Sequence, residues 1–188
     1  MLRRWMLFVD GENLTIRGQE FASRNGLTLK AGAYWRQDCL IWMRNPHPLQ
    51  RPFCKSGETE TLEERGLRAY YYTSVVGDES ASIDVQDSLW KLGFTPKVFR
   101  KQKDRKSKGV DISLTTDMLT HAFQNHFEVA ILMAGDGDYG PLVGRVKSLG
   151  KILWVWFFSD EKDGLSPALR RSSDVMLPLD AHFAENWS

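Results

Sequence analysis

Five consecutive apolar residues, Val129-Ala130-Ile131-Leu132-Met133, run directly into Ala134-Gly135-Asp136-Gly137-Asp138. The run is too short for a comfortable helix and has no polar member, which predicts a strand buried on both faces. Such strands belong to parallel sheets covered by helices on either side, so this stretch argues for an α/β fold. The glycines end the strand and expose two carboxylates. In an open parallel sheet the loops after the carboxyl ends of the strands line a crevice, and acids at that edge are candidates for chemistry.

The amino terminus repeats the pattern. Trp5-Met6-Leu7-Phe8-Val9 ends at Asp10-Gly11-Glu12-Asn13. If both runs lie parallel in one sheet, Asp10 and Asp136 leave the same edge although they are far apart in the chain. Between them the patterning predicts a helix over Leu14–Arg24 stopped by Asn25-Gly26 and a second helix over Lys30–Arg44 broken by Asn45-Pro46-His47-Pro48. It also predicts a strand at Leu67–Thr73, a helix at Ser82–Leu92 and a short exposed strand at Lys97–Phe99. Asp111–Asn125 is a clear helix: Val110, Leu114, Met118, Leu119 and Ala122 form its buried stripe, with Asp111 inward at the first turn. Asp117 lies about 120° around from Asp111 on a regular helix, so the two do not point at one spot. A helix at Pro141–Leu149, an aromatic strand at Lys151–Phe158, a short helix opened by Ser166-Pro167 and a final strand within Asp174–Leu179 complete the chain. This alternation predicts one domain over residues 1–188: a three-layer α/β/α sandwich, Rossmann-like, with a mainly parallel central sheet and an insertion or elaborated connection at about 30–66.

Net charge is +1, so any case for a polyanion partner rests on where charge is placed. From Lys97 to Lys108, seven of twelve residues are Lys or Arg against one acid. Lysines protect an exposed sheet edge, and the same run beside an acidic centre suits phosphate contacts by Lys101, Lys103, Arg105, Lys106 and Lys108. Two cysteines, Cys39 and Cys54, are too few for a disulfide framework or a zinc site, and the four histidines show no ligand spacing. A P-loop GxxxxGK[ST] and a GxSxG nucleophile elbow are both missing from the sequence. The start Met1-Leu2-Arg3-Arg4 is followed by too short an apolar stretch for an export signal, and Ile152–Phe158 falls far short of a bilayer span. A cytoplasmic, membrane-free protein is expected, with an exposed edge strand that permits a homodimer.

Asp10, Asp111, Asp136 and Asp138 are the acids that the predicted topology collects. Carboxylates brought close raise one another's pKa unless a cation relieves the repulsion. An all-oxygen set favours Mg²⁺ or Mn²⁺ over zinc, and such ions activate water against phosphodiesters. Asn13 is placed to cap the helix after Asp10 and to hydrogen-bond a carboxylate, a water or a phosphate.

Three stretches in this order, VDGENL (Val9–Leu14), KGVDISLTTDML (Lys108–Leu119) and AGDGDYGPLV (Ala134–Val143), resemble the NYN family of PIN-like nuclease domains, the LabA-like or DUF88 group. The resemblance spans about Trp5 to Asp180. It implies a PIN-like sandwich and a metal-dependent ribonuclease centre acting on single-stranded or structured RNA. It further implies site roles for Asp10, Asn13, Asp111, Asp117, Asp136 and Asp138, with Mg²⁺ or Mn²⁺ as cofactor, and it gives Asp117 more weight than the helical wheel does. The chain departs from the family at Ala134, often serine, and at Tyr139, often phenylalanine. Two alternatives stand beside the ribonuclease. One is a non-catalytic module binding RNA or protein, with Tyr34, Trp35 and Trp42 as a surface. The other is an aspartyl phosphatase of the haloacid-dehalogenase type, with Asp10 as nucleophile and Glu12 as acid/base.

Overall fold

In the computed structural model the described residues are 3–43, 65–102, 108–160, 162 and 164–187. Eight strands are present among them: β1 (Arg4–Asp10), β2 (Ala33–Arg36), β3 (Leu40–Met43), β4 (Arg65–Val76), β5 (Thr95–Lys101), β6 (Val129–Met133), β7 (Ile152–Phe157) and β8 (Val175–Pro178). Six helices accompany them: α1 (Gly11–Arg24), α2 (Glu79–Lys91), α3 (Lys108–Phe123), α4 (Gly140–Ser148), α5 (Pro167–Ser172) and α6 (Asp180–Asn186). Six strands make one sheet in the order β5-β4-β1-β6-β7-β8, every neighbouring pair parallel, with helices on both sides.

The strand order explains where a crevice must form. The chain builds outward from β1 through β4 to β5, and α3 then carries it back so that β6 pairs with the other side of β1. Direction of growth reverses between β1 and β6, and ligands of open parallel sheets bind outside the strand ends at such a point. Val9 pairs with Met133, so the loops following β1 and β6 emerge side by side.

The apolar runs behave as their composition predicts. Leu7, Phe8 and Val9 of β1 and Ala130 to Met133 of β6 are completely buried, each large side chain contributing about 1.5–3 kcal/mol by leaving water. Alternation along β4 sends neighbours to opposite faces. Tyr70 and Tyr72 meet α3, where the Tyr70 hydroxyl lies 3.0 Å from His121 Nε2 and the Tyr72 hydroxyl donates to Asp117 at 3.0 Å. Tyr71 and Thr73 point the other way: the Ile41 N–H donates to the Tyr71 hydroxyl at 3.2 Å, and the Thr73 hydroxyl donates to the Cys39 carbonyl.

Two expectations are corrected, and one helix is found that the sequence did not announce. The helix predicted over Lys30–Arg44 is a β-hairpin, β2 pairing antiparallel with β3 through Tyr34–Trp42 and Trp35–Ile41, with Asp38 at φ 52° in the turn. Its apolar residues announced burial but not period. The extended form wins because it spreads Ile41 and Trp42 over the Tyr71 face of the sheet, where the Trp42 ring lies 4.9 Å from Phe94 and 4.8 Å from Trp187. Within the stripe of α3, Val110, Leu114, Met118 and Ala122 are buried but Leu119 only half so. Helix α6 has no distinct sequence signal, yet Phe183 and, just beyond it, Trp187 are buried in the same aromatic cluster. Residues 44–64 of the predicted insertion lie outside the described residues. No described helix is long and apolar enough to cross a membrane.

Candidate functional site

Asp10 ends β1 and caps α1, its Oδ1 accepting the Asn13 N–H at 2.9 Å. Only 4% of its surface is exposed. Burial pushes this carboxyl up to about 7, and the neighbouring Asp111 and Glu12 push in the same direction. Hydrogen bonds from the Asn13 N–H and the Tyr139 hydroxyl pull it back down. The group sits where its charged form is held at a cost, and that cost marks it as a functional candidate.

The second loop is fastened to the first. Asn13 Oδ1 accepts the Gly135 N–H at 3.0 Å, so one side chain clips the turn after β1 to the turn after β6. Gly135 is clamped from the other side by the Ser166 N–H, which donates to its carbonyl at 2.8 Å. Asp136 then caps a short 3₁₀ turn, Gly137–Tyr139, its Oδ1 accepting the Asp138 N–H at 3.0 Å. That turn brings Tyr139 back over the edge of the sheet, where it is 3% exposed. Its hydroxyl donates to Asp10 Oδ2 at 2.9 Å and also lies 3.2 Å from Asp111 Oδ1, the acid in the first turn of α3. Burial, with both carboxylates beside it, holds the phenol far above its ordinary ionisation range, so it remains a donor.

A pocket of about 120 Å³ opens here, lined by Asp10, Glu12, Asn13, Ile16, Val110, Asp111 and Asp136. Four of the predicted site residues, Asp10, Asn13, Asp111 and Asp136, are therefore brought together. Asp111 and Asp136 are exposed at its rim while Asp10 forms the floor. Asp138 is exposed and does not line the pocket. Asp117 is turned elsewhere, accepting from Tyr72 and lying 3.4 Å from Lys97 Nζ, as a position a third of a turn around the helix from Asp111 requires.

Two participants were not among the residues expected for the ribonuclease centre. Glu12 lines the pocket, accepts the Ser74 hydroxyl at 2.7 Å and forms an ion pair with Lys101. Its signal was its place in the first turn of α1, two residues after Asp10. The Tyr139 hydroxyl is the other, and its signal was the departure from phenylalanine. Lys101 is accordingly held against the pocket's own Glu12. Lys103, Arg105 and Lys106, and the side chain of Lys108, lie outside the described residues.

The donor set is all oxygen: three carboxylates, a fourth acid in Glu12 and an amide. That chemistry fits a hard divalent cation, and the buried Asp10 is the group such a cation would relieve. Among the described residues no three acidic, histidine or cysteine side chains are closed about one point as they stand.

Fold and site together define an α/β domain with an acidic crevice at the switch point of its sheet. The chain belongs to the NYN domain family, which matches residues 4–180 and is part of the PIN-like nuclease superfamily. Among solved structures, a protein of unknown function from Vibrio parahaemolyticus, VPA0982, is similar in fold, with a TM-score of 0.60 at 17% identity over 100% of this chain and 97% of that one. No curated protein matches the sequence.

Proposed function

We propose that this NYN domain is a ribonuclease that hydrolyses RNA phosphodiester bonds with Mg²⁺ or Mn²⁺, the cation held by Asp10, Asp111 and Asp136. The observation that carries the proposal is the Asp10 carboxylate, buried at the switch point with three further acids, Glu12, Asp111 and Asp136, on the same pocket. Such an arrangement is costly for a protein with no cation to bind and useful for one with a cation to bind. When bound, the ion neutralises charge growing on the phosphoryl oxygens and lowers the pKa of water.

The remaining work falls to the chain itself. Asp10 is fixed at both oxygens, by the Asn13 N–H and the Tyr139 hydroxyl, and Asp111 and Asp136 flank it at the rim. Asn13 keeps the two loops at constant separation through Gly135. Asp138 is exposed outside the pocket lining and acts through the turn it shares with Asp136, whose Oδ1 accepts its N–H. Lys101, held at the pocket by Glu12, contacts RNA phosphate, and Lys103, Arg105, Lys106 and Lys108, close to it in the sequence, supply further positive charge for the same polyanion. Asp117 acts through packing of α3 on β4, outside the reacting atoms.

The test is cleavage of an end-labelled, mixed-sequence single-stranded RNA with Mn²⁺, with Mg²⁺ and with EDTA. Asp136→Asn should lower the metal-dependent rate about 100-fold or more, because losing a charged contact to the cation forfeits several kcal/mol of transition-state stabilisation. Asp117→Asn, assayed alongside, should lower it less than about tenfold, the scale of an indirect effect. Equal losses in both variants would move Asp117 into the centre. RNA bound but never cut by the unaltered protein would favour a non-catalytic binding module instead.

A further inference from the structure

Asp10, Asp111 and Tyr139 come from three separate elements: the end of β1, the first turn of α3 and the turn after β6. They meet at one atom, the Tyr139 oxygen, 2.9 Å from an oxygen of Asp10 and 3.2 Å from an oxygen of Asp111. Two carboxylates do not approach a common point without something to offset their repulsion. Here the Tyr139 hydroxyl, with one proton to share between the two oxygens, stands between them on a buried ring. A phenylalanine here would fill the same space without that hydroxyl.

Asp10 Oδ1 is committed to the Asn13 N–H and Oδ2 to the tyrosine, so its carboxylate plane is set from both ends. Asp111 is different. It sits at the start of a helix, on the exposed side, and Tyr139 links it to the floor of the pocket. Groups that hydrogen-bond the carboxylates of a cation site fix their orientation, and losing one typically weakens cation affinity about 10–100-fold.

On the condition that the pocket takes a divalent cation, as proposed above, we infer that Tyr139 is a positioning residue whose hydroxyl holds Asp10 and Asp111 in the spacing the cation needs. It supplies in this chain an orienting contact that a phenylalanine at the same place cannot give. The hydroxyl raises cation affinity and does not compete for the position.

The deciding experiment is a Mn²⁺ titration followed by the electron paramagnetic resonance signal of the unbound ion, on the full chain, for the unaltered protein, Asp136→Asn and Tyr139→Phe. Melting in EDTA is recorded for each. Tyr139→Phe removes one oxygen and keeps the ring. It should weaken Mn²⁺ binding about 10–100-fold while lowering the EDTA melting temperature by no more than about 10 °C, the cost of one charge-assisted hydrogen bond. Unchanged or tighter Mn²⁺ binding by Tyr139→Phe, with Asp136→Asn weakened, would overturn the role given to Tyr139 and leave the cation site standing. A larger fall in melting temperature would make the tyrosine a structural residue and overturn it as well. An unaltered protein that binds no Mn²⁺, or an Asp136→Asn variant that binds it equally well, would overturn the cation site and this inference with it.

Discussion

Replacing Asp10 with asparagine should make the metal-free protein more stable at alkaline pH and abolish the RNA cleavage proposed for it. Burial raises the native carboxyl to about 7, whereas in the unfolded chain it ionises in the ordinary carboxylate range near 4. Between those two values the native state holds a proton that the unfolded state has released. Stability of the metal-free protein therefore falls as pH rises through this window and levels off above it. A tenfold change in proton affinity corresponds to about 1.4 kcal/mol, so the ionised carboxylate costs a few kcal/mol at pH 8. Asparagine carries no charge to desolvate. Its Oδ1 still accepts the Asn13 N–H, and its amide can donate to the Tyr139 oxygen.

The measurement is melting in EDTA at pH 5 and pH 8. At pH 8 Asp10→Asn should melt about 5–15 °C above the unaltered protein, on the scale of 2–4 °C per kcal/mol for a chain of this size, and at pH 5 the gap should largely close. Saturating Mn²⁺ should raise the melting temperature of the unaltered protein and leave the variant where it was, while RNA cleavage falls about 100-fold or more. A variant no more stable than the parent at pH 8 would mean that the buried carboxylate is not held at a cost.

Gly135→Ala should damage the protein from the backbone outward. A Cβ added there would lie 2.3 Å from the Gly164 carbonyl oxygen and 2.4 Å from the Phe157 ring. Neither neighbour has room to yield: Gly164 is main chain, and Phe157 is completely buried at the end of β7. The same residue donates to Asn13 and accepts from Ser166, so relief by shifting the loop breaks the clip between the two site turns. A loss of about 3 kcal/mol or more is expected, in the range of severe overpacking, read as a drop in the urea midpoint with little change in slope. Cation affinity should fall with it, because Asp136 follows directly. Gly140→Ala is the matched control, since its Cβ would meet no atom within 4 Å. Equal urea midpoints for the two variants would remove close approach as the reason for glycine at 135.

Legibility in the sequence followed how local each signal was. β1 and β6 could be read from five-residue apolar runs because a strand buried on both faces needs no partner to declare itself, and the glycines and acids at their ends marked the edge that carries the candidate site. The stripe of α3 set Asp111 and Asp117 on different sides by helical period alone, and the contacts of Asp117 with Tyr72 and Lys97 follow that geometry. The hairpin at Ala33–Met43 could not be read in the same way. Its residues are apolar enough to be buried in either conformation, and what decides between them is the apolar face of Tyr71 and Phe94, supplied by strands and loops elsewhere in the chain.

The site divides along the same line. By itself the sequence determined which acids follow which strands, since those are matters of neighbouring residues. Tertiary structure decided the rest: that β6 returns to the other side of β1, that Glu12 rather than Asp138 lines the pocket, and that the Tyr139 hydroxyl reaches both Asp10 and Asp111. Each depends on the order and register of strands far apart in the chain, which set the separations between side chains. Residue type and period carry information about burial, and only the closed packing of the sheet turns that into distances between side chains.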